Sequence, residues 1–163
     1  MKRKTAFFGV FTALAMIFGY IETLIPIHFG IYGVKLGLAN LVIVVALYKM
    51  GAAEALCLSI VRIVLTGFMF TNLFSILYSL AGGVLSLAVM TAAKKTDRLS
   101  VRGVSMLGGV FHNIGQLLAA MLVVETLSVA YYLPVLLTAG VLTGLVIGAV
   151  SGEILKRLER LTF

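Results

Sequence analysis

The sequence predicts an all-α membrane protein: an S-component-like bundle of six transmembrane helices with both termini in the cytoplasm. Hydrophobic residues make up 61% of the 163-residue chain and charged residues only 12%, outside the range of soluble domains. The apolar residues fall into six runs, and a spanning helix needs about 20 residues. Eleven of the thirteen Lys and Arg residues cluster at Lys2-Arg3-Lys4, at Lys49, from Lys94-Lys95 to Arg98 and Arg102, and from Lys156-Arg157 to Arg160. With six crossings, every cluster lies on one side, as the positive-inside rule requires. Lys35 and Arg62 have no place in that scheme and are read as functional residues.

Taken in order, the helices are expected at about 5–25, 34–49, 52–70, 73–93, 103–124 and 131–155. Six spans use most of residues 1–163, so the chain is read as a single transmembrane domain. The basic Lys2-Arg3-Lys4 before an apolar run resembles a signal peptide, but the run reaches Ile25 without a small-residue cleavage site. It is read as a retained first span. Pro26 ends that helix, because proline lacks a backbone donor and restricts its predecessor. Lys49-Met50-Gly51 and the stretch from Lys94 to Arg102 are the cytoplasmic connections. Pro26 to Gly33, Thr71-Asn72 and Glu125 to Ala130 are the outer ones. Pro134 falls in the first turn of the last helix, where proline is tolerated.

Glycines concentrate within the helices. Gly140, Gly144, Gly148 and Gly152 recur every fourth residue on the last helix, a pattern that lets a neighbouring backbone approach closely. They are read as packing within the monomer, with a docking face for another membrane protein as the alternative. Gly9 and Ala13 form a shorter small-residue pair on the first helix. Asn72, Ser75, Ser79 and Ser86 make one polar stripe on the fourth helix, which in a membrane faces the bundle interior.

Several function classes drop out. The formal charge of +7 is a topology signal, so no nucleic-acid partner is expected. The one cysteine, Cys57, excludes a disulfide framework. His28 lies in an outer connection and Cys57 near the inner end of the third helix, so no metal site or other cofactor is expected. Asp97 is the only aspartate, and no phosphate-binding Gly-x-x-x-x-Gly-Lys-Ser/Thr loop occurs. No Ser-His-acid or paired-carboxylate arrangement presents itself either. The chain is read as a binding or transport subunit and not as an enzyme.

The polar residues within the spans outline the site. Glu22, Lys35, Asn72 and Glu125 fall at the outer edge, while Arg62 and His112 lie about ten residues, or ~15 Å, from the cytoplasmic ends of their helices. The set, with Asn40, Asn113 and Gln116, is expected to line a cavity open to the outside and closing near the midplane. An arginine at mid-membrane costs at least ~2.5–3.5 kcal/mol on insertion scales, so Arg62 needs a partner or water. Ser59 and Thr66 share its helix face. Arg62 is read either as a ligand contact or as an ion pair with Glu22. At 100° per residue, His112, Asn113 and Gln116 cover an arc of about 100°, so all three can face one cavity. The expected substrate-binding set is therefore Glu22, Lys35, Asn40, Arg62, Asn72, His112, Asn113 and Gln116.

Gly33-Val34-Lys35-Leu36-Gly37-Leu38-Ala39-Asn40, preceded by Glu22 and Ile25-Pro26 and followed by His112-Asn113-Ile114-Gly115-Gln116, resembles one family. It is the Gx transporter family, also described as heptaprenyl diphosphate synthase component I. Arg62, Gly67 and the Gly82-Gly83 pair extend the likeness over nearly the whole chain. The family's small six-helix proteins resemble the S components of energy-coupling factor (ECF) transporters. That resemblance implies a membrane T component and paired cytoplasmic ATPases as partners, with docking through Gly9 and Ala13. The synthase description fits this chain only in an accessory role. Prenyl diphosphate synthases hold magnesium through two aspartate-rich motifs, and this chain has one aspartate.

The leading expectation is thus a subunit that captures a small, anionic and partly apolar molecule from the outer side. A cofactor precursor, a flavin-like molecule or a short prenyl diphosphate would qualify. One alternative is an accessory membrane subunit of prenyl diphosphate or quinone synthesis. Another is a self-sufficient ion-coupled carrier, with Glu22, His112 or Glu125 as its proton site.

Overall fold

The computed structural model describes residues 2–24 and 37–160. Pro26, His28, Lys35, the connection 26–33 and the expected start of the second helix at 34 lie outside the described residues. The long helices are α1 (Lys2–Leu24), α2 (Leu38–Lys49), α3 (Ala52–Phe70), α4 (Leu73–Lys95), α5 (Val101–Val124) and α6 (Leu133–Arg157). A 3-10 segment, Leu127–Tyr132, leads into α6, and another, Leu158–Arg160, follows it. Helix is what a bilayer demands of an apolar chain, since every backbone N–H and C=O must be satisfied within the segment. Among the described residues, five helices are long and apolar enough to cross a membrane, and α2 is a shorter apolar one. The chain is a multi-pass membrane protein with an all-α fold.

Local chemistry sets the boundaries. Asn72 accepts from Ser75 N at 2.8 Å and starts α4, while Ser100 accepts from Gly103 N at 3.4 Å and starts α5 two residues before the expected 103. These caps satisfy donors that a helix start leaves open. Pro134 occupies the first turn of α6 as expected, but residues 127–132 form the 3-10 segment, so the α-helix begins at Leu133. Gly51 at φ 116° makes the tight α2–α3 connection, a conformation that favours glycine.

The helices close into a ring. From α1 it runs through α3, α4, α5 and α6 to α2, which packs back on α1 and also touches α3. α2 is the most enclosed member, with Val42 through Leu47 all buried. A helix apolar on every side belongs in such an interior. Its 12 residues span only about 18 Å, less than the ~30 Å hydrocarbon core. On the outside of the ring, Leu122 is 80% exposed, Leu127 77% and Phe68 76%. Exposed apolar side chains of that size form the surface that lipid covers.

Glycines bring the helices close on one side of the ring. A Cβ on Gly140 would lie 2.8 Å from Gly109 O, one on Gly144 2.6 Å from Ser105 O, and one on Gly148 2.7 Å from Arg102 Cα. Gly140, Gly144 and Gly148 therefore serve packing within the monomer, while Gly152 meets nothing within 4 Å. Gly115 of α5 does the same against α4, where a Cβ would lie 2.8 Å from Gly82 Cα.

The basic clusters gather at one end of this ring. Lys94 Nζ donates to Leu47 O at 2.8 Å and stands 4.8 Å from the centre of the Tyr48 ring. Lys49 Nζ donates to Leu158 O. The C-terminal ends of α2, α4 and α6 thus converge, and the cations sit where the helix dipoles favour positive charge.

Candidate functional site

The ring encloses a cavity of about 90 Å³ lined by residues of all six helices. Of the residues singled out by sequence, Glu22, Asn40, Arg62, His112, Asn113 and Gln116 line it. They come from α1, α2, α3 and α5, four helices that the ring turns toward a common interior. Lys35 lies outside the described residues. Asn72 stands apart: its carboxamide oxygen caps α4, its side is exposed, and it does not line the cavity.

Arg62 is the centre of the arrangement. Its Nη2 donates to Asn40 Oδ1 at 3.1 Å. Its Nε is buried and has no hydrogen-bond partner among the described residues. Thr66 Oγ1, one turn further along α3, is in the same condition. An unsatisfied buried donor costs about 1–3 kcal/mol, and more when it is charged. The guanidinium edge therefore calls for water or a ligand group.

Glu22 does not take the guanidinium directly. Its Oε1 accepts a short hydrogen bond from Gly37 N, and Gly37 adopts φ 74° and ψ 26°, left-handed, at the entry to α2. The carboxylate thus sits at the N-terminus of α2, where the helix dipole favours negative charge. Of the two readings of Arg62, ligand contact or ion pair with Glu22, the contacts seen among the described residues are Glu22 to Gly37 and Arg62 to Asn40.

The α5 cluster divides its tasks. His112 and Gln116 line the cavity beside Gly82, where a Cβ would lie 2.6 Å from His112 O and 2.8 Å from Gln116 Cγ. Asn113 uses its Nδ2 to donate to Leu136 O at 2.7 Å, tying α5 to α6. Facing them from α4 are Ser75 and Ser79 of the expected stripe. Ser86 of the same stripe donates its hydroxyl to Gly108 O at 2.8 Å.

Thr71, Ser105 and Thr143 also line the cavity. Sequence reasoning missed them because each is a single hydroxyl in or beside an apolar run. Thr143 carried one signal, its place beside Gly144 on the close-packed face of α6. The lining also reaches Met90 near the basic end of α4, so the cavity runs deeper than the expected closure at the midplane. Away from the cavity, Gly9 and Ala13 are exposed on α1, and a Cβ on Gly9 would meet nothing within 4 Å.

Chemically, the site offers one guanidinium, one carboxylate, an imidazole, three carboxamides, of which Asn40 and Asn113 are engaged with Arg62 and Leu136, and a row of hydroxyls within apolar walls. Such a site binds and orients a polar group. No curated protein and no solved structure gives a match. The family model of heptaprenyl diphosphate synthase component I matches residues 11–154, the stretch that carries α1 through α6 and the cavity, and the chain belongs to that family.

Proposed function

We propose that this protein is the substrate-binding membrane subunit of an ECF-type transporter, taking up a small, anionic and partly apolar molecule from the outer side. The observation that carries this reading is Arg62, a residue of the cavity lining inside a membrane bundle, whose Nη2 donates to Asn40 and whose buried Nε has no hydrogen-bond partner among the described residues. An intramembrane cation turned to an interior cavity marks a ligand pathway. In this reading the termini and the basic end are cytoplasmic, and Lys35 adds a second cation to the site. The exposed Gly9 and Ala13 face of α1 receives a T component that is coupled to two ATPases.

At about 90 Å³ the cavity is well below the ~300–1,000 Å³ of sites for drug-sized ligands. A ligand of that size is accommodated by parting of the helices. Purification in mild detergent followed by native mass spectrometry tests the assignment. The expected result is a complex with a T component and two ATPase subunits, and no ATPase activity in the isolated chain. Gly9→Leu and Ala13→Leu weaken the complex by blocking close helix contact. Uptake driven by an ion gradient in liposomes holding this chain alone would overturn the proposal in favour of a carrier.

A second reading is favoured by the family's description as a synthase component. In it, the protein recruits a soluble, aspartate-rich prenyl diphosphate synthase to the bilayer and takes no catalytic part. Co-purification of such an enzyme, in place of a T component, would establish it.

A further inference from the structure

The cations of the basic end fall into two groups. Lys49 and Lys94 are spent on the carbonyls of Leu158 and Leu47, and Arg157 pairs with Glu153 at 3.4 Å. Arg98, Arg102 and Lys156 are exposed, and none of them has an ion pair or a side-chain hydrogen bond among the described residues. Asp97 and Glu159, the nearest acids in sequence, pair with none of the three.

The seam between α5 and α6 brings these three cations to one place. The two helices run antiparallel there, with Gly140 opposite Gly109, Gly144 opposite Ser105 and Gly148 opposite Arg102. The next member of the series, Gly152, falls beyond the first turn of α5, and a Cβ on it would meet nothing within 4 Å. A notch is therefore left where α5 begins. Lys156 lies one turn past Gly152 on the same side of α6. Leu99 folds the α4–α5 connection back onto the start of α5, since a Cβ on Gly103 would lie 3.4 Å from its Cδ2. Arg98, its neighbour, is thus held beside the first turn of α5, whose dipole adds partial positive charge.

The notch continues into an apolar strip. Val141, Leu145, Gly152 and Lys156 recur on α6 at spacings of four, seven and four, which places them on one stripe. Val141 and Leu145 are exposed, and Leu145 lies about 16 Å along the axis from Lys156. Three uncompensated cations at the end of a membrane bundle, above exposed aliphatic side chains, complement a phosphodiester that carries acyl chains. Basic pockets between helices at a cytoplasmic face hold lipid headgroups in this way.

We infer that this notch binds one anionic phospholipid of the leaflet at the basic end, with its phosphate among Arg98, Arg102 and Lys156 and an acyl chain along Leu145 and Val141. None of these residues lines the interior cavity, so the lipid site is independent of what the cavity binds. Each cation contributes about fivefold to the affinity, which is ~1 kcal/mol near an anionic surface.

The test uses the full chain in neutral detergent, titrated with dioleoyl phosphatidylglycerol and with dioleoyl phosphatidylcholine, and read by native mass spectrometry. Phosphatidylglycerol is expected to bind at least tenfold more tightly, and excess glycerol phosphate is expected not to displace it. Arg98→Gln combined with Lys156→Gln should lower phosphatidylglycerol affinity about 25-fold, the product of two fivefold steps, and leave phosphatidylcholine unchanged. Gly152→Leu fills the notch without altering charge and should weaken phosphatidylglycerol by about tenfold. Thermal unfolding without added lipid reports that each variant is folded, and the single Arg98→Gln and Lys156→Gln variants carry the test if the double variant is not.

Equal affinity for the two lipids would overturn the inference. So would displacement by glycerol phosphate, which would make this a site for a soluble anion. Phosphatidylglycerol affinity unchanged by Gly152→Leu would spread the attraction over the whole basic end and leave no site at the seam.

Discussion

At the scale of single residues, Arg62 decides most. It lines the cavity and its Nη2 donates to Asn40 Oδ1, while the Glu22 carboxylate accepts from Gly37 N at the entry to α2. Arg62→Gln is expected to abolish binding of an anionic ligand. Removing one member of a buried charge set also costs ~3–5 kcal/mol when it leaves the other uncompensated. Binding and unfolding must therefore be measured on the same sample, and binding lost only in proportion to stability would make Arg62 structural. Arg62→Lys should not restore full affinity, because an ammonium cannot reproduce the planar two-edged contact. Gly37 offers a cleaner test of the Glu22 contact. An alanine there is strained in the left-handed region, at about 1–2 kcal/mol, and its Cβ would lie 3.0 Å from Ile147 Cδ1. Gly37→Ala is expected to lower the melting temperature and weaken the seating of Asn40, and a stability equal to wild type would refute this view of the α2 entry. Of this site, Glu22, Asn40, Arg62, His112 and Gln116 were legible in the sequence because polar groups in apolar runs are costly and stand out. Their pairing was not legible. Whether Glu22 meets a guanidinium or a backbone N–H depends on the turn at Gly37, and no spacing rule gives that.

At the scale of helices, small residues set how closely the ring can pack. The α6 series Gly140, Gly144, Gly148 and Gly152 looks uniform in sequence, but the structure splits it. A Cβ on any of the first three would meet α5 backbone, and one on the fourth would meet nothing within 4 Å. Two alanine substitutions should therefore differ in sign. Gly144→Ala brings a Cβ within 2.6 Å of Ser105 O, forcing α5 and α6 apart at about 1–3 kcal/mol. Gly152→Ala adds helix propensity worth up to roughly 1 kcal/mol with no clash. Thermal unfolding in one detergent compares the pair, and equal effects would contradict the packing described here. Helix positions were legible because apolar runs of this length have only one fate in a bilayer. The shift of α6 from 131 to Leu133 was not, since Tyr131 and Tyr132, which close the 3-10 segment, read equally well as the start of an α-helix. The ring order was hidden too. Sequence gives neighbours along the chain, whereas the contact of α2 with α6 joins elements nearly a hundred residues apart.

At the scale of the whole molecule, the question is which way the ring faces. The C-terminal ends of α2, α4 and α6 meet at the basic end, tied by Lys49 and Lys94 to the carbonyls of Leu158 and Leu47. These lysines act locally as helix-end caps, and under the positive-inside rule their charge is expected to hold this end in the cytoplasm. The cavity lining reaches Thr71 and Ser75, at the opposite ends of α3 and α4. Sidedness thus fixes whether the site samples the outside. Ser128, in the 3-10 segment, and Ser100, in the α4–α5 connection, are both exposed and lie at opposite ends of α5. In a Cys57→Ala background, Ser128→Cys is expected to react with a membrane-impermeant maleimide on intact cells. Ser100→Cys should react only after permeabilisation. Both positions are exposed and outside the α-helices; Ser100→Cys also removes the N-cap of α5, a loss of about 0.5–2 kcal/mol. The reverse labelling pattern would turn the Thr71 and Ser75 end of the cavity to the cytoplasm. Arg62 would then meet a cytoplasmic ligand, uptake from outside would be untenable, and recruitment of a soluble enzyme would become the better account of the same pocket.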